Sequence, residues 1–171
     1  MKPLYNPLFV KFIVYFNENQ DFFECHEVLE EYWKLFPDRT KEHPLVGYIL
    51  LSTAMYHWRR GNTVGAGRTI LKSISRLQRI SVDHPCFSDG INIENLVKNA
   101  TIASQQIKKE QPFSTFSIEV TSTKIQSLIK EITPSMDLLP SGTDEVIHKH
   151  MLRDRSDILN EREKRKGQSW R

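Results

Sequence analysis

The residues of this chain whose types and spacing could do chemistry are a histidine and a glutamate one helical turn apart. In the stretch Phe22-Phe23-Glu24-Cys25-His26-Glu27-Val28-Leu29-Glu30-Glu31-Tyr32-Trp33, His26 and Glu30 stand four residues apart and share a flank of any helix drawn through them. An imidazole and a carboxylate so placed can share a cation, and His57 on another helical stretch could approach them across a hairpin. Known metal helices differ in pattern. His26-Glu27 with Glu30 lacks the second histidine of the HExxH zinc helix, and di-iron bundles place the carboxylate before the histidine. A half-buried histidine beside a carboxylate can also titrate near neutrality and act as a general base. No nucleophile accompanies it, because Cys25 and His26 are adjacent on a helix and point about 100° apart. The residues therefore favour structural roles: His26 and Glu30 as a charge-assisted pair at the rim of the core, and His57 as a core histidine bonded to a backbone carbonyl or to Thr53. His150 and Asp154 make a further pair at the same spacing, read as a salt bridge.

These residues can work only if their helices are held in place. The central helix is expected from Phe22 to Phe36, started by a capping-box-like Asp21 and Glu24 and stopped by Pro37. Its apolar stripe of Phe22, Cys25, Leu29, Tyr32, Trp33 and Phe36 must be buried. Before it, Asn6-Pro7 starts a helix continuing from Leu8 to Glu18, and the short polar joint to Asp21 implies an antiparallel hairpin. Leu45 to Arg60 is apolar on almost every side and reads as the most buried helix. Val64 to Ile80 follows, with Ala66, Ile70, Leu71, Ile74 and Leu77 facing inward. Its opposite face carries Arg68, Lys72, Arg76 and Arg79, a basic stripe that could contact phosphates or an acidic partner, with Arg59 and Arg60 adding charge nearby. The plain alternative is a solvated face. Asn92 caps a fifth helix to about Lys109, burying Leu96, Val97, Ala100, Ile107 and either Ile102 or Ala103. Phe116 to Val120 alternates like a lone extended segment, Ile125 to Ile132 forms a short sixth helix, and a charged helix begins at Thr143.

The fold class is thus all-α: a compact bundle of antiparallel helix hairpins, about five to seven helices, with at most a short extended segment near 116–120. One domain is expected over 1–160, with its core in 5–110, an extension over 113–160, and a charged, frayed tail at 161–171. A chain of 171 residues can bury a real core. A net charge of +3 does not point to nucleic acid, and no aromatic residues interleave with the basic stripe to stack bases. No apolar run approaches the roughly 20 residues of a membrane helix, and the N-terminal run Phe9 to Phe16 is broken by Lys11. Two cysteines without a pairing framework suit a reducing cytoplasm. No cofactor is expected.

The central helix resembles the signature of the uncharacterised bacterial and archaeal family DUF309, and Tyr56-His57-Trp58-Arg59-Arg60-Gly61-Asn62 with Gly65-Ala66 resembles its second block. The remainder is similar to longer, Bacillus-type members. The resemblance implies an all-helical core of hairpins and no established activity. It also implies a pocket built from His26, Glu27, Glu30, Trp33, His57 and Arg60, of which His26, Glu30 and His57 are the candidate metal ligands. Leu51 stands where many members carry a glutamine, and Cys25 where they carry an alanine. The expected function is a non-enzymatic interaction or structural domain with a protein partner, no membrane and no nucleic acid, its oligomeric state left open. The alternative is a metal-assisted hydrolase using a His/Glu cluster between the second and third helices.

Overall fold

Each long helix begins where the sequence offers a side-chain acceptor for an otherwise orphaned backbone N–H. In a computed structural model, whose described residues are 1–148, the helices are α1 Pro7–Val14, α2 Phe22–Trp33, α3 Leu45–Arg59, α4 Thr63–Asp83, α5 Ile93–Lys108, α6 Thr123–Ile132 and α7 Asp144–Ile147. Asn6 accepts from Leu8 N–H at 2.9 Å, Asp21 from Glu24 at 3.1 Å, Asn62 from Gly65 at 3.1 Å, Asn92 from Asn95 at 3.0 Å and Ser122 from Ile125 at 3.2 Å. At α3, preceded by Pro44, His43 takes this role: its Nδ1 accepts from Leu45 N–H at 3.1 Å. Among the described residues there is no strand, and the extended segment makes one isolated antiparallel bridge, Ile91 to Val120. No helix there is long and apolar enough to cross a membrane.

The core is aromatic. Phe9, Phe12 and Phe16 of the first hairpin meet Phe22 and Tyr48 edge-on or tilted at 5.1–5.9 Å. Tyr48 is fully buried and satisfies its hydroxyl by donating to Phe87 O at 2.7 Å. Helices α3 and α4 approach closely at Gly47, where a Cβ would meet Leu77 Cδ2 at 3.1 Å and Arg76 Cβ at 3.2 Å. Ser73 Oγ donates to Gly47 O at 2.8 Å and ties the crossing. Residues beyond 112 join the same core: Ile118 and Ile125 are buried in it, and Phe113 and Phe116 pack against Phe22 and Phe16.

Several helix limits and faces differ from the sequence expectation. The first helix reaches Glu18 as expected but not as a regular α-helix: α1 ends at Val14, Tyr15–Asn19 widens into a π-helical turn, and Gln20 is left-handed with φ 50°. A tertiary contact accounts for this: the Asn17 carboxamide accepts from Ile118 N–H at 2.8 Å and donates to Ile118 O at 2.9 Å, which an unbroken helix would re-aim. Helix α2 stops at Trp33 rather than Phe36. Leu35 is 66% exposed, so a further turn would bury nothing there, and the Phe36 ring instead meets His43 at 4.5 Å and Phe87 at 6.0 Å. Helix α4 extends past Ile80 to Asp83, and Leu71 lies outward at 61% exposed while Ser73 takes an inner position. In α5 the buried residue is Ala103, not Ile102. Of the last charged helix only Asp144–Ile147 is described; His150, Asp154 and the tail at 161–171 lie outside the described residues.

Candidate functional site

Three helices each turn one stripe toward a common cleft of about 510 Å³. Helix α2 contributes Phe22, Phe23, His26 and Glu27; α3 contributes Leu50, Thr53, Tyr56 and His57; and Arg60 stands at its C-cap. From α4 come Gly65, Arg68, Thr69 and Lys72, at the i, i+3, i+4, i+7 spacing of one helix face. The volume falls in the range of small-molecule sites. Its floor is aromatic and its rim carries cations, Arg60 lying over the Tyr56 ring at 5.3 Å. Among the described residues neither Arg68 nor Lys72 has a carboxylate within 4.0 Å.

Of the pocket residues expected from sequence, His26, Glu27, His57 and Arg60 line this cleft. Glu30 does not sit at a core–solvent border. It is 3% exposed, with Oε2 3.6 Å from His26 Nδ1 and Oε1 3.4 Å from Lys34 Nζ. His26 Nδ1 is nearer to Glu27 Oε1, at 3.3 Å, so the expected His26–Glu30 pair is one edge of a three-membered group. Trp33 faces elsewhere: it is 7% exposed and donates through Nε1 to Thr40 O at 3.2 Å. The tertiary fold divides the basic stripe. Arg68 and Lys72 enter the cleft, Lys72 also shares an adjoining hollow with Arg76, and Arg76 and Arg79 line a smaller one with His43 and His84, where Arg79 donates to Asp83 at 3.2 Å.

His57 is not bonded as a core histidine would be. Thr53 donates its hydroxyl to Ile49 O at 3.0 Å, and His57 Nδ1 instead lies 3.4 Å from Asn62 Nδ2. The Asn62 amide has a determined orientation, because its Oδ1 accepts the Gly65 N–H; Nδ2 is the donor, and the neutral imidazole carries its proton on Nε2. Gly65 is needed here, since a Cβ would meet Asn62 Nδ2 at 2.6 Å. Burial lowers the His57 pKa from its ordinary 6.5, and the charges of Arg60 and His26 lower it further. Cys25 offers no nucleophile: its thiol is buried, donates to Phe12 O at 3.6 Å, and has a pKa pushed well up by burial and then by Asp21. Arg59 and Arg60, grouped together by sequence, separate. Arg59 covers the rings of Phe22 and Phe113, at 4.7 and 5.7 Å, on the core side.

Sequence reasoning missed Phe23, Thr53, Tyr56 and Thr69 as cleft residues. The signal was present as spacing: Leu50, Thr53 and His57 form one stripe, as do Gly65, Arg68, Thr69 and Lys72. Leu51, the position of the expected family glutamine, is fully buried in the core and outside the cleft.

Comparison with known proteins bears on this region. Residues 9–69 match a family model described as "Domain of unknown function (DUF309)", a span holding every cleft residue except Lys72. The chain is 34% identical over 170 residues to the uncharacterized protein YpuF of Bacillus subtilis (strain 168), covering 94% of each chain. No solved structure matches it.

Proposed function

Because the chain belongs to the DUF309 family, whose description carries no activity, we propose a function from the cleft: a non-enzymatic binding domain for a small anionic ligand with an apolar, preferably aromatic, body. The observation that carries this reading is the convergence of Arg60, Arg68 and Lys72, from two helices, on the rim of a cleft floored by Phe22, Phe23 and Tyr56. Cations give an anionic head group its attraction, and guanidinium forks give it orientation. The aromatic floor binds the body by area and stacking. The lowered His57 pKa, caused first by burial and then by the charge of Arg60, is consistent with a positive local field. A reducing, cytoplasmic setting suits the free thiols of Cys25 and Cys86.

The test is calorimetric titration of the full chain, in EDTA, with inorganic phosphate and with phenyl phosphate. Saturable binding of phenyl phosphate is expected, tighter than phosphate by about tenfold, which is the worth of about 1.4 kcal/mol of ring contact. Arg68→Ala with Lys72→Ala should weaken it by at least about tenfold, in line with the loss of charge-assisted contacts. Equal affinity in wild type and double variant, or no binding of either probe, rejects the reading.

A further inference from the structure

We propose that Lys41, Lys72, Ser75 and Arg76 form a phosphate subsite beside the cleft, so that the ligand class is an aromatic-bodied polyphosphate of the nucleoside-triphosphate kind. For the aromatic body this rests on the anion reading of the cleft; for the added phosphates it rests on a further set of residues.

Beside the cleft lies a hollow of about 480 Å³, itself of small-molecule size. Leu50 and Lys72 line both, so the two are continuous. The hollow is floored by the buried side chains of Val46 and Leu50 from α3, with Leu71 exposed at its lip. Its polar lining is three cations and one hydroxyl: Lys41 from the loop before α3, and Lys72, Ser75 and Arg76 from α4. No carboxylate lines it, although the chain carries 21 acidic side chains against 24 lysines and arginines. Among the described residues none of these three cations has a carboxylate within 4.0 Å. The smaller hollow further along α4 differs, because Glu42 and Asp83 line it beside Arg79. Positive charge without compensation is thus concentrated next to the cleft.

Helix geometry sets the length of the ligand. Arg68, Lys72 and Arg76 follow at i, i+4 and i+8, so they rise about 6 Å per step and span about 12 Å along the axis. One phosphate group cannot bridge that span, whereas a chain of phosphates held at Lys72 reaches toward both ends. Like charges one turn apart repel, and the one acidic residue of α4, Asp83, pairs with Arg79; a bound anion offsets the repulsion. Arg76 is fixed at its root, where a Cβ on Gly47 of α3 would meet Arg76 Cβ at 3.2 Å. With a ring on Phe22, Phe23 and Tyr56, the nearest phosphate meets Arg60 and Arg68, and those beyond it pass Lys72 into the hollow. Guanidinium forks grip phosphate oxygens in pairs, the ammonium groups act as point charges, and the Ser75 hydroxyl can donate a further bond. The aromatic floor at one end of the row favours a ligand that joins a flat ring to its charges over an acidic peptide segment.

The experiment is calorimetric titration of the full chain, in EDTA and about 0.15 M salt, which screens loosely attracted anions. The probes are AMP, ATP and inorganic tripolyphosphate. ATP should bind at least tenfold tighter than AMP, from which it differs only in phosphates, and this comparison needs no variant. Lys41→Ala with Arg76→Ala should remove that advantage and change AMP affinity by less than twofold; alanine keeps the Arg76 Cβ that packs at Gly47. Lys130→Ala, which removes an exposed cation from α6, should leave ATP affinity unchanged. Tripolyphosphate reads the subsite without the aromatic body and should lose at least fivefold in the double variant. ATP no tighter than AMP, a folded double variant that binds ATP as wild type does, an equal loss from Lys130→Ala, or hexaglutamate binding as tightly as ATP overturns the proposal. Tripolyphosphate binding that depends on Lys41 and Arg76, with no binding of phenyl phosphate, rejects the cleft reading and keeps the subsite, so the two failures are distinguishable.

Discussion

His43 and His57 share the same leading electrostatic fate for different structural reasons. Burial lowers both pKa values from 6.5. His43 is 6% exposed, holds the first turn of α3 through Leu45 N–H, and is enclosed by the rings of Phe36 and Phe87 at 4.5 and 5.4 Å. Asp38 partly opposes its shift and His84 adds to it. His57 is half-buried on the wall of an open cleft, contacts one exposed amide, and owes the rest of its shift to Arg60 and His26. A ring held by backbone and aromatic contacts is part of the fold. A ring held by the charges of a cleft responds to whatever enters that cleft.

The largest effect that separates them is stability. His43→Ala removes a helix-start acceptor and a packed ring and should cost about 2 kcal/mol in urea unfolding, combining a lost cap with a small cavity. His57→Ala should cost less than about 0.5 kcal/mol, as for a substitution outside the core. Equal costs would erase the distinction.

The pH dependence of stability comes next. Folded pKa values below 6.5 mean that the unfolded chain takes up protons first as pH falls. The stabilisation from keeping these rings neutral is complete above 6.5 and is lost as pH drops through their folded values. Protonating His43 also removes the lone pair that accepts from Leu45. His43→Gln should therefore flatten the decline between pH 7 and pH 5, and His57→Gln should flatten it less. Denaturant midpoints measured across that range check both.

A smaller, more selective effect sharpens the contrast. Phenyl phosphate in EDTA should raise the His57 pKa by about half a unit, a typical response to a nearby anion partly screened by solvent. The groups around it are His26, Glu27, Arg60, Arg68 and Lys72. His43 should not move in the same NMR titration. Movement of both rings together would point to a global change instead of a cleft ligand.

The smallest effect tests the division of the basic stripe. Arg79→Ala breaks an exposed i,i+4 pair with Asp83 and should change stability by no more than about 0.3–0.5 kcal/mol. It should leave phenyl phosphate affinity unchanged, unlike removal of Arg68 on the same helix.

The starts of the helices were legible because capping is local. Asn6, Asp21 and Asn92 each bond an N–H two or three residues on, and no distant contact is needed to predict that; Asn62 and Ser122 do the same without having been read as caps. The buried stripe of α2 and the apolar α3 were likewise written in the 3.6-residue period. His26, Glu27, His57 and Arg60 were named together by the family resemblance, and the structure places them along one cleft.

What local pattern does not contain is which stripe meets which. Asn17 and Ile118 pair across 101 positions and open a π-turn where the periodicity alone continues a helix. The crossing of α3 and α4 at Gly47 and Ser73 sets how the two helices lie against one another. That packing brings Arg68 and Lys72 to His57 and Arg60 and leaves Arg76 and Arg79 outside the cleft. A helix's own residues determine the face it buries, because that depends on its period; its neighbours across the face depend on close packing among side chains far apart in the chain.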